Sequence, residues 1–300
     1  MTPSNHPKFR HAATLAALVL LTGCTEQLRK AGIDENSLKA AGAVATSMSK
    51  SEATPAEESQ IGQASASILL GAAPLVQDRE IQTYVNQLGG LLARQTGRKD
   101  INWRFGVINS SNVNAFAAPD GYVFVTKGLL RTVNDEAELA GVLAHEIAHV
   151  VKRHYLIAMR KKDTTGALTN LAATSAKTAG VKGSELAADP LANVAQNMYS
   201  SGLDKGDEYE ADRLGVVYAT RAGYDPYGLP RVLNLYATKA GSNGFELLFS
   251  THPSPQDRLA ELDKAMGEKL AAFETSAVSN SPGFKRIQEK VKRIPDPARR

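Results

Sequence analysis

The stretch His145-Glu146-Ile147-Ala148-His149 constrains this chain more than any other. Residues four apart on a helix lie on one face, one turn above the other, so both imidazoles can reach a single zinc ion. Glu146 then stands where it can take a proton from water activated by that ion. A helix with two satisfied or solvated histidines would read the same way, so the surroundings decide. From Glu136 to Arg153 the chain carries Leu139, Val142, Leu143, Ile147, Val150 and Val151, with Ala140, Ala144 and Ala148 between them. That is a broad apolar surface at helical period, as in a helix buried within a domain. Asn134 is the expected N-cap. Asp135, Glu136 and Glu138 suit the start of the dipole, and Lys152, Arg153 and His154 suit its end. An unpaired imidazole inside such a helix would be costly. The chain has six histidines, at 6, 11, 145, 149, 154 and 252, and the motif uses two of the four that follow the N-terminal segment.

A catalytic zinc usually takes three protein ligands and leaves one position open. Asp207-Glu208-Tyr209-Glu210-Ala211-Asp212-Arg213 opens a second expected helix, running to about Thr220 and closed by Arg221-Ala222-Gly223. Asp207 is the expected cap, with Glu210 completing a capping box. Glu208 and Asp212 share a face. Glu208 can be the third ligand, and Asp212 can accept the spare ring N–H of a ligand histidine. A solvated acidic helix start is the plainer alternative, and the histidine motif weighs against it.

His-Glu-x-x-His followed by Glu-x-x-Ala-Asp resembles the HtpX/BepA/LoiP-type zinc metallopeptidases, relatives of the CAAX prenyl proteases. Asn114–Gly121, Tyr122–Leu130, Asp135–Ala144, Ala222–Pro226 and Ser250–Pro255 are similar to further family motifs in the same order. The resemblance covers roughly residues 60 to 265. It departs from the pattern where the family often has Ser-Arg before the glutamate; Lys205 stands near the usual arginine. The resemblance implies one zinc per chain, held by His145, His149 and Glu208, with Glu146 as general base and Asp212 behind a ligand. Tyr209, Arg258 and the side chain of Asn114 are candidates to stabilise the oxyanion, and the sequence does not choose among them. A peptide substrate would lie extended along Asn114, Ala115, Phe116, Ala117 and Ala118. In BepA, a histidine in the matching Thr-His-Pro stretch can bind the metal and displace water, so His252 is a candidate regulatory fourth ligand. The implied activity is zinc-dependent endopeptidase cleavage of misfolded or stalled envelope proteins, with envelope assembly factors as partners. An envelope chaperone that cleaves little, or a structural zinc protein, are the other readings.

Residues 1–23 read as a lipoprotein signal peptide: basic Lys8 and Arg10, an apolar Ala12–Leu21, then Leu21-Thr22-Gly23-Cys24. Cys24 is the one cysteine in the chain, so no internal disulfide is available to it, and acylation removes an exposed thiol. By resemblance to enterobacterial lipoprotein sorting, Thr25 after it favours the outer membrane, and the expectation is a lipid-anchored protein of the bacterial periplasm. Residues 24–58 read as a tether, 59–275 as the peptidase domain and 276–300 as a basic, solvated tail that supplies much of the net charge of +4. No aromatic-basic pattern indicates nucleic-acid binding. Helices are expected at Ser59–Leu70, Arg79–Arg94, Leu129–Thr132, Glu136–Met159, Glu208–Thr220, Pro226–Lys239 and Pro255–Phe273. Strands are expected at Ile101–Ile108, around Phe116 and at Tyr122–Thr126, with a turn at Pro119-Asp120-Gly121. The class is α+β: mostly helical, with a small sheet against the motif helix. Residues 160–205 are Ala/Thr/Gly-rich, fall short of a bilayer span, and read as an insert beside the cleft. Cys24→Ala is expected to abolish acylation and move the protein out of the membrane fraction, read by fractionation and mass spectrometry.

Overall fold

In the computed structural model, residues 53–163, 203–239, 251, 252, 254–267 and 277–297 are described. The signal peptide, Cys24, most of the tether and nearly all of the 160–205 insert lie outside them. Nine helices and three strands follow in order among the described residues: α1 (Pro55–Ala72), α2 (Arg79–Ala93), β1 (Arg104–Ile108), β2 (Ala115–Ala118), β3 (Tyr122–Thr126), α3 (Lys127–Thr132), α4 (Glu136–Lys152), α5 (His154–Asp163), α6 (Lys205–Arg221), α7 (Gly228–Thr238), α8 (Pro255–Met266) and α9 (Pro282–Arg293). This is the expected α+β class, mostly helical with a small sheet. No helix among the described residues is long and apolar enough to cross a membrane.

The sheet has the order β1-β3-β2. β1 runs parallel to β3, with Arg104 opposite Tyr122 and Ile108 opposite Thr126. β2 pairs antiparallel with β3, Ala115 opposite Val125. The turn between β2 and β3 puts Asp120 at φ 61° and Gly121 at φ 87°, the left-handed region that Asp-Gly supplies at low cost. The pairing carries β2 to the outer edge of the sheet, next to α4.

Helix α4 is the centre of the core. Leu139, Leu143 and Ile147 on it are fully buried. Two glycines let its neighbours approach closely. A Cβ on Gly215 of α6 would stand 3.0 Å from the His145 amide nitrogen, and one on Gly141 would stand 2.6 Å from the Leu229 nitrogen of α7.

Several local expectations are corrected. The N-cap of α4 is Asp135, whose carboxylate accepts from Glu138 N at 2.8 Å; Asn134 instead donates its own N–H to the Glu138 carboxylate at 2.7 Å. Helix α6 starts three residues early, capped by Asp204, and Asp207 reaches back to the Asp204 N–H at 3.3 Å. Glu210 is thereby released from capping. The motif helix does not run on to Met159: Arg153, at φ 58°, ends α4, and α5 starts at His154. Helix α1 begins at Pro55, inside the segment read as tether, with Thr54 as its cap.

The largest correction is at the C-terminus. The basic segment is not a solvated tail. Phe284, Ile287 and Val291 on α9 are buried, at spacings of three and four that make one apolar stripe. Gln288 donates to the carbonyls of Leu130 and Val133 at 3.2 and 2.6 Å. Lys290 bridges Asp78 and Glu80 at 3.0 and 2.6 Å. The buried Lys127 ammonium donates to the Pro295 carbonyl at 2.6 Å. Three apolar residues among six charged ones had too little contrast to announce a helix. Phe284→Ala is expected to destabilise the domain by about 3–5 kcal/mol, measured by urea denaturation, whereas Lys285→Ala should change it by less than about 0.5 kcal/mol.

Candidate metal centre

Both turns of the His-Glu-x-x-His motif sit where α4 is most enclosed. His145, Glu146 and His149 are all buried. The periodicity of α4 turns the two histidines toward α6, and the close approach at Gly215 brings Glu208 to them. Nε2 of His145 lies 3.0 Å from Nε2 of His149. The Glu208 carboxylate lies 3.7 Å from His145 Nε2 and 3.5 Å from His149 Nε2. His252, reached from the segment before α8, places Nδ1 3.1 Å from both Glu208 oxygens. One ligand atom from each of His145, His149, Glu208 and His252 lies within 4.8 Å of every other.

These donors fit a metal ion. Ligands about 2.0–2.1 Å from a tetrahedral ion stand roughly 3.3 Å from one another, and the separations above bracket that value. Three imidazoles and a carboxylate are also the donors such an ion takes. Glu146 Oε2 is buried with no hydrogen-bond partner among the described residues, an orphan that solvent or substrate in the site would satisfy.

Asp212 stands behind His145, with Oδ1 2.9 Å from its Nδ1, where it can accept the ring N–H. Arg258 on α8 clamps this carboxylate, donating from Nε at 2.8 Å and from an amino group at 2.5 Å, and lies 3.2 Å from Glu208. Both carboxylates are fully enclosed. Burial alone would raise them; for Glu208 the His252 ring and Arg258 outweigh it, and for Asp212 Arg258 does, holding each down to about 2. Burial pushes Glu146 up from the ordinary carboxylate range, against the pull of His252 and His145. Burial pushes His149 well below the ordinary imidazole value, helped by the neighbouring rings. His252 is raised, because Glu208 and Glu146 facing it overcome the penalty of burial.

A small cleft opens over Glu146, lined by Ala115, Val142, His145, Leu229, Val232, Leu233, Tyr236, His252 and Arg258. The other expected residues are spread around it. Asn114 is buried beside the His252 segment; its Oδ1 accepts from Ala115 N at 2.9 Å and its Nδ2 donates to the Thr251 hydroxyl at 3.5 Å. Ala115, the first residue of β2, lines the cleft, while Phe116, Ala117 and Ala118 are buried outside its lining. Tyr209 is not in the lining. Two residues escaped the sequence reading. Tyr236 completes the face Leu229, Val232, Leu233 that α7 turns to the cleft, a spacing that could have flagged it. His154 stacks edge-on beside His149, ring centroids 5.0 Å apart, and only the break at Arg153 puts it there.

The model of peptidase family M48 matches residues 77–266 of this chain. The chain is 34% identical over 211 residues to the beta-barrel assembly-enhancing protease of Escherichia coli strain K12, a match covering 68% of this chain and 43% of that protein. It is 30% identical over 198 residues to the mitochondrial metalloendopeptidase OMA1 of Schizosaccharomyces pombe, covering 64% of this chain and 55% of the relative. A bovine OMA1 is 31% identical over 190 residues, covering 60% and 35%. The chain thus spans roughly a third to a half of the length of these relatives.

The depressed carboxylates set an acid limit. Each contributes stability that is complete above its unfolded pKa of about 4 and is lost as pH falls through its folded value. The metal-free protein should therefore weaken as pH falls from about 4.5 toward about 2. Urea denaturation at a series of pH values is expected to show that slope, and Glu208→Gln should flatten it.

Proposed function

The chain belongs to peptidase family M48, and on that premise we propose that it is a zinc-dependent endopeptidase of the bacterial envelope. The observation that carries the reading is a buried carboxylate, Glu146, with one oxygen unpartnered among the described residues, beside four converging ligand atoms. His145, His149 and Glu208 would hold the zinc. Its contribution when bound is Lewis acidity, which lowers the pKa of water and polarises a carbonyl.

The residues then do the following. Asp212 holds the His145 ring by its Nδ1–H, and Arg258 keeps Asp212 in place. Glu146 accepts a proton from the attacking water as its oxygen adds to the peptide carbonyl. The same carboxyl passes that proton to the leaving nitrogen as the C–N bond breaks, releasing an amine and a carboxylate. Burial raises the proton affinity of Glu146, which suits a group that must both take and return a proton near neutral pH. A peptide extended beside β2, the outer strand of the described sheet, would enter the cleft at Ala115. Arg258 and Asn114 adjoin the reaction zone as candidates to steady the oxyanion, although Arg258 is already engaged by two carboxylates.

The bacterial relatives are named for enhancing beta-barrel assembly; misfolded or stalled envelope proteins as substrates, and assembly factors as partners, are the reading we propose for this chain. Cys24 would supply a lipid anchor to the outer membrane. A second reading of the same site is supported by the position of His252. With Nδ1 3.1 Å from Glu208 and Nε2 3.8 Å from Glu146, it stands where a fourth ligand would exclude water. His252 would then be a switch that closes the site at rest and opens it when its segment moves.

Glu146→Gln is expected to retain zinc, by metal analysis, and to lose casein cleavage by about 10²–10⁴-fold. A wild type that binds zinc yet cleaves no better than this variant would favour the chaperone reading. Under the switch reading, His252→Ala keeps its zinc and cleaves at least as fast as wild type. Loss of metal or of activity in that variant would make His252 an integral part of the site and end the switch.

A further inference from the structure

The site has a second buried polar chain, on the side away from the cleft. It begins at His149 Nδ1, which lies 2.9 Å from Nδ1 of His154. The other nitrogen of His154 lies 3.2 Å from Glu210 Oε2. Glu210 is also 2.7 Å from the Lys152 ammonium. Both rings are buried, and Glu210 is partly exposed. A continuous helix would not make this arrangement. Five residues along α4 would carry residue 154 about 140° around the axis and about 7.5 Å onward from residue 149. The left-handed Arg153, at φ 58°, turns the chain so that the His154 ring comes back beneath His149. A left-handed conformation is uncommon for a residue with a side chain, and here it sits at the one joint that delivers this ring.

The protons along the chain can be placed. His149 Nε2 faces His145 and Glu208. A ring whose Nε2 lone pair is given to a metal carries its proton on Nδ1, which must donate. His154 Nδ1 is then the acceptor, so the His154 proton lies on Nε2. That N–H donates to Glu210, whose charge Lys152 balances. Every donor meets an acceptor in this one arrangement.

We propose that His154 is a positioning residue for the metal centre: it accepts the Nδ1–H of His149, and Glu210 fixes the tautomer in which it can do so. The proposal rests on the zinc reading above. It gives the two motif histidines different supports. His145 leans on a buried, Arg-clamped carboxylate, and His149 on an imidazole ring backed by a partly exposed carboxylate.

The test compares His154→Leu, which removes the acceptor, with His154→Asn, whose Oδ1 falls near the position of Nδ1. Zinc affinity is measured by competition with a chromophoric chelator. Circular dichroism and urea denaturation of the metal-free proteins give the fold. Zinc binding should weaken in His154→Leu on the order of 10–100-fold, and His154→Asn should recover most of that loss. Equal affinity in the two variants, whether at the wild-type level or below it, would overturn the proposal. The wild type supplies a measurement independent of any variant's folding. Nitrogen-15 NMR of the zinc-loaded protein should show His154 as the Nε2–H tautomer, and an Nδ1–H tautomer would overturn the assignment. If the wild type bound no zinc, the metal reading and this one would fall together; wild-type zinc binding with indistinguishable variants removes only this one.

Discussion

Everything at the centre depends on the approach of α6 to α4. Glu208 and Asp212 are carboxylates in an interior where an unpaired charge would be far too costly to keep. They are tolerated because α6 comes close enough, at Gly215, for them to meet the imidazoles of α4, and because Arg258 arrives from α8 to neutralise them. Breaking a buried pair by removing one member leaves the other uncompensated. The three helices are therefore held in register by charge as well as by apolar packing. The aliphatic residues of α4 alone would permit many orientations of α6, and the charged groups select the one that aims two ring nitrogens at one point.

The same arrangement explains why residues with different tasks differ in environment. Glu208 and Asp212 face positive groups and stay ionised, whereas Glu146, one residue from His145, has no hydrogen-bond partner for its second oxygen among the described residues and holds protons more tightly. His252 faces two carboxylates and is drawn toward its charged form, while His149, among other rings and apolar atoms, is driven to the neutral form that a ligand requires. The identity of neighbours, more than depth of burial, separates these five groups.

The elements with strong periodicity were legible from the sequence. Helix α4, the strand pair around Asp120-Gly121, and the placing of Glu208 and Asp212 on one face follow from spacing alone, because a helix turn and a strand pleat impose their own arithmetic. What was not legible depended on contacts across the chain. No local signal distinguishes Asp135 from Asn134 as a cap until the Glu138 carboxylate is seen to occupy Asn134. Nothing in Val151-Lys152-Arg153-His154 announces a left-handed joint, since the residues that advertise one, glycine, asparagine and aspartate, are not at that joint. Helix α9 was hidden because its apolar stripe is three residues wide and the partners that justify it, Leu130, Val133 and Asp78, lie more than 150 residues earlier.

Arg258 is 113 residues from His145 and 46 from Asp212 along the chain. Contacts of that span close late in folding, because the entropy of bringing distant segments together must be met before the contact rewards it. A nascent chain folded only through α5 holds two of the three candidate ligand imidazoles and Glu146 but neither carboxylate nor the guanidinium that restrains them. The site is thus tied to completion: it is assembled from pieces that coexist only when the domain has closed. A chain that stalls midway lacks the assembled site.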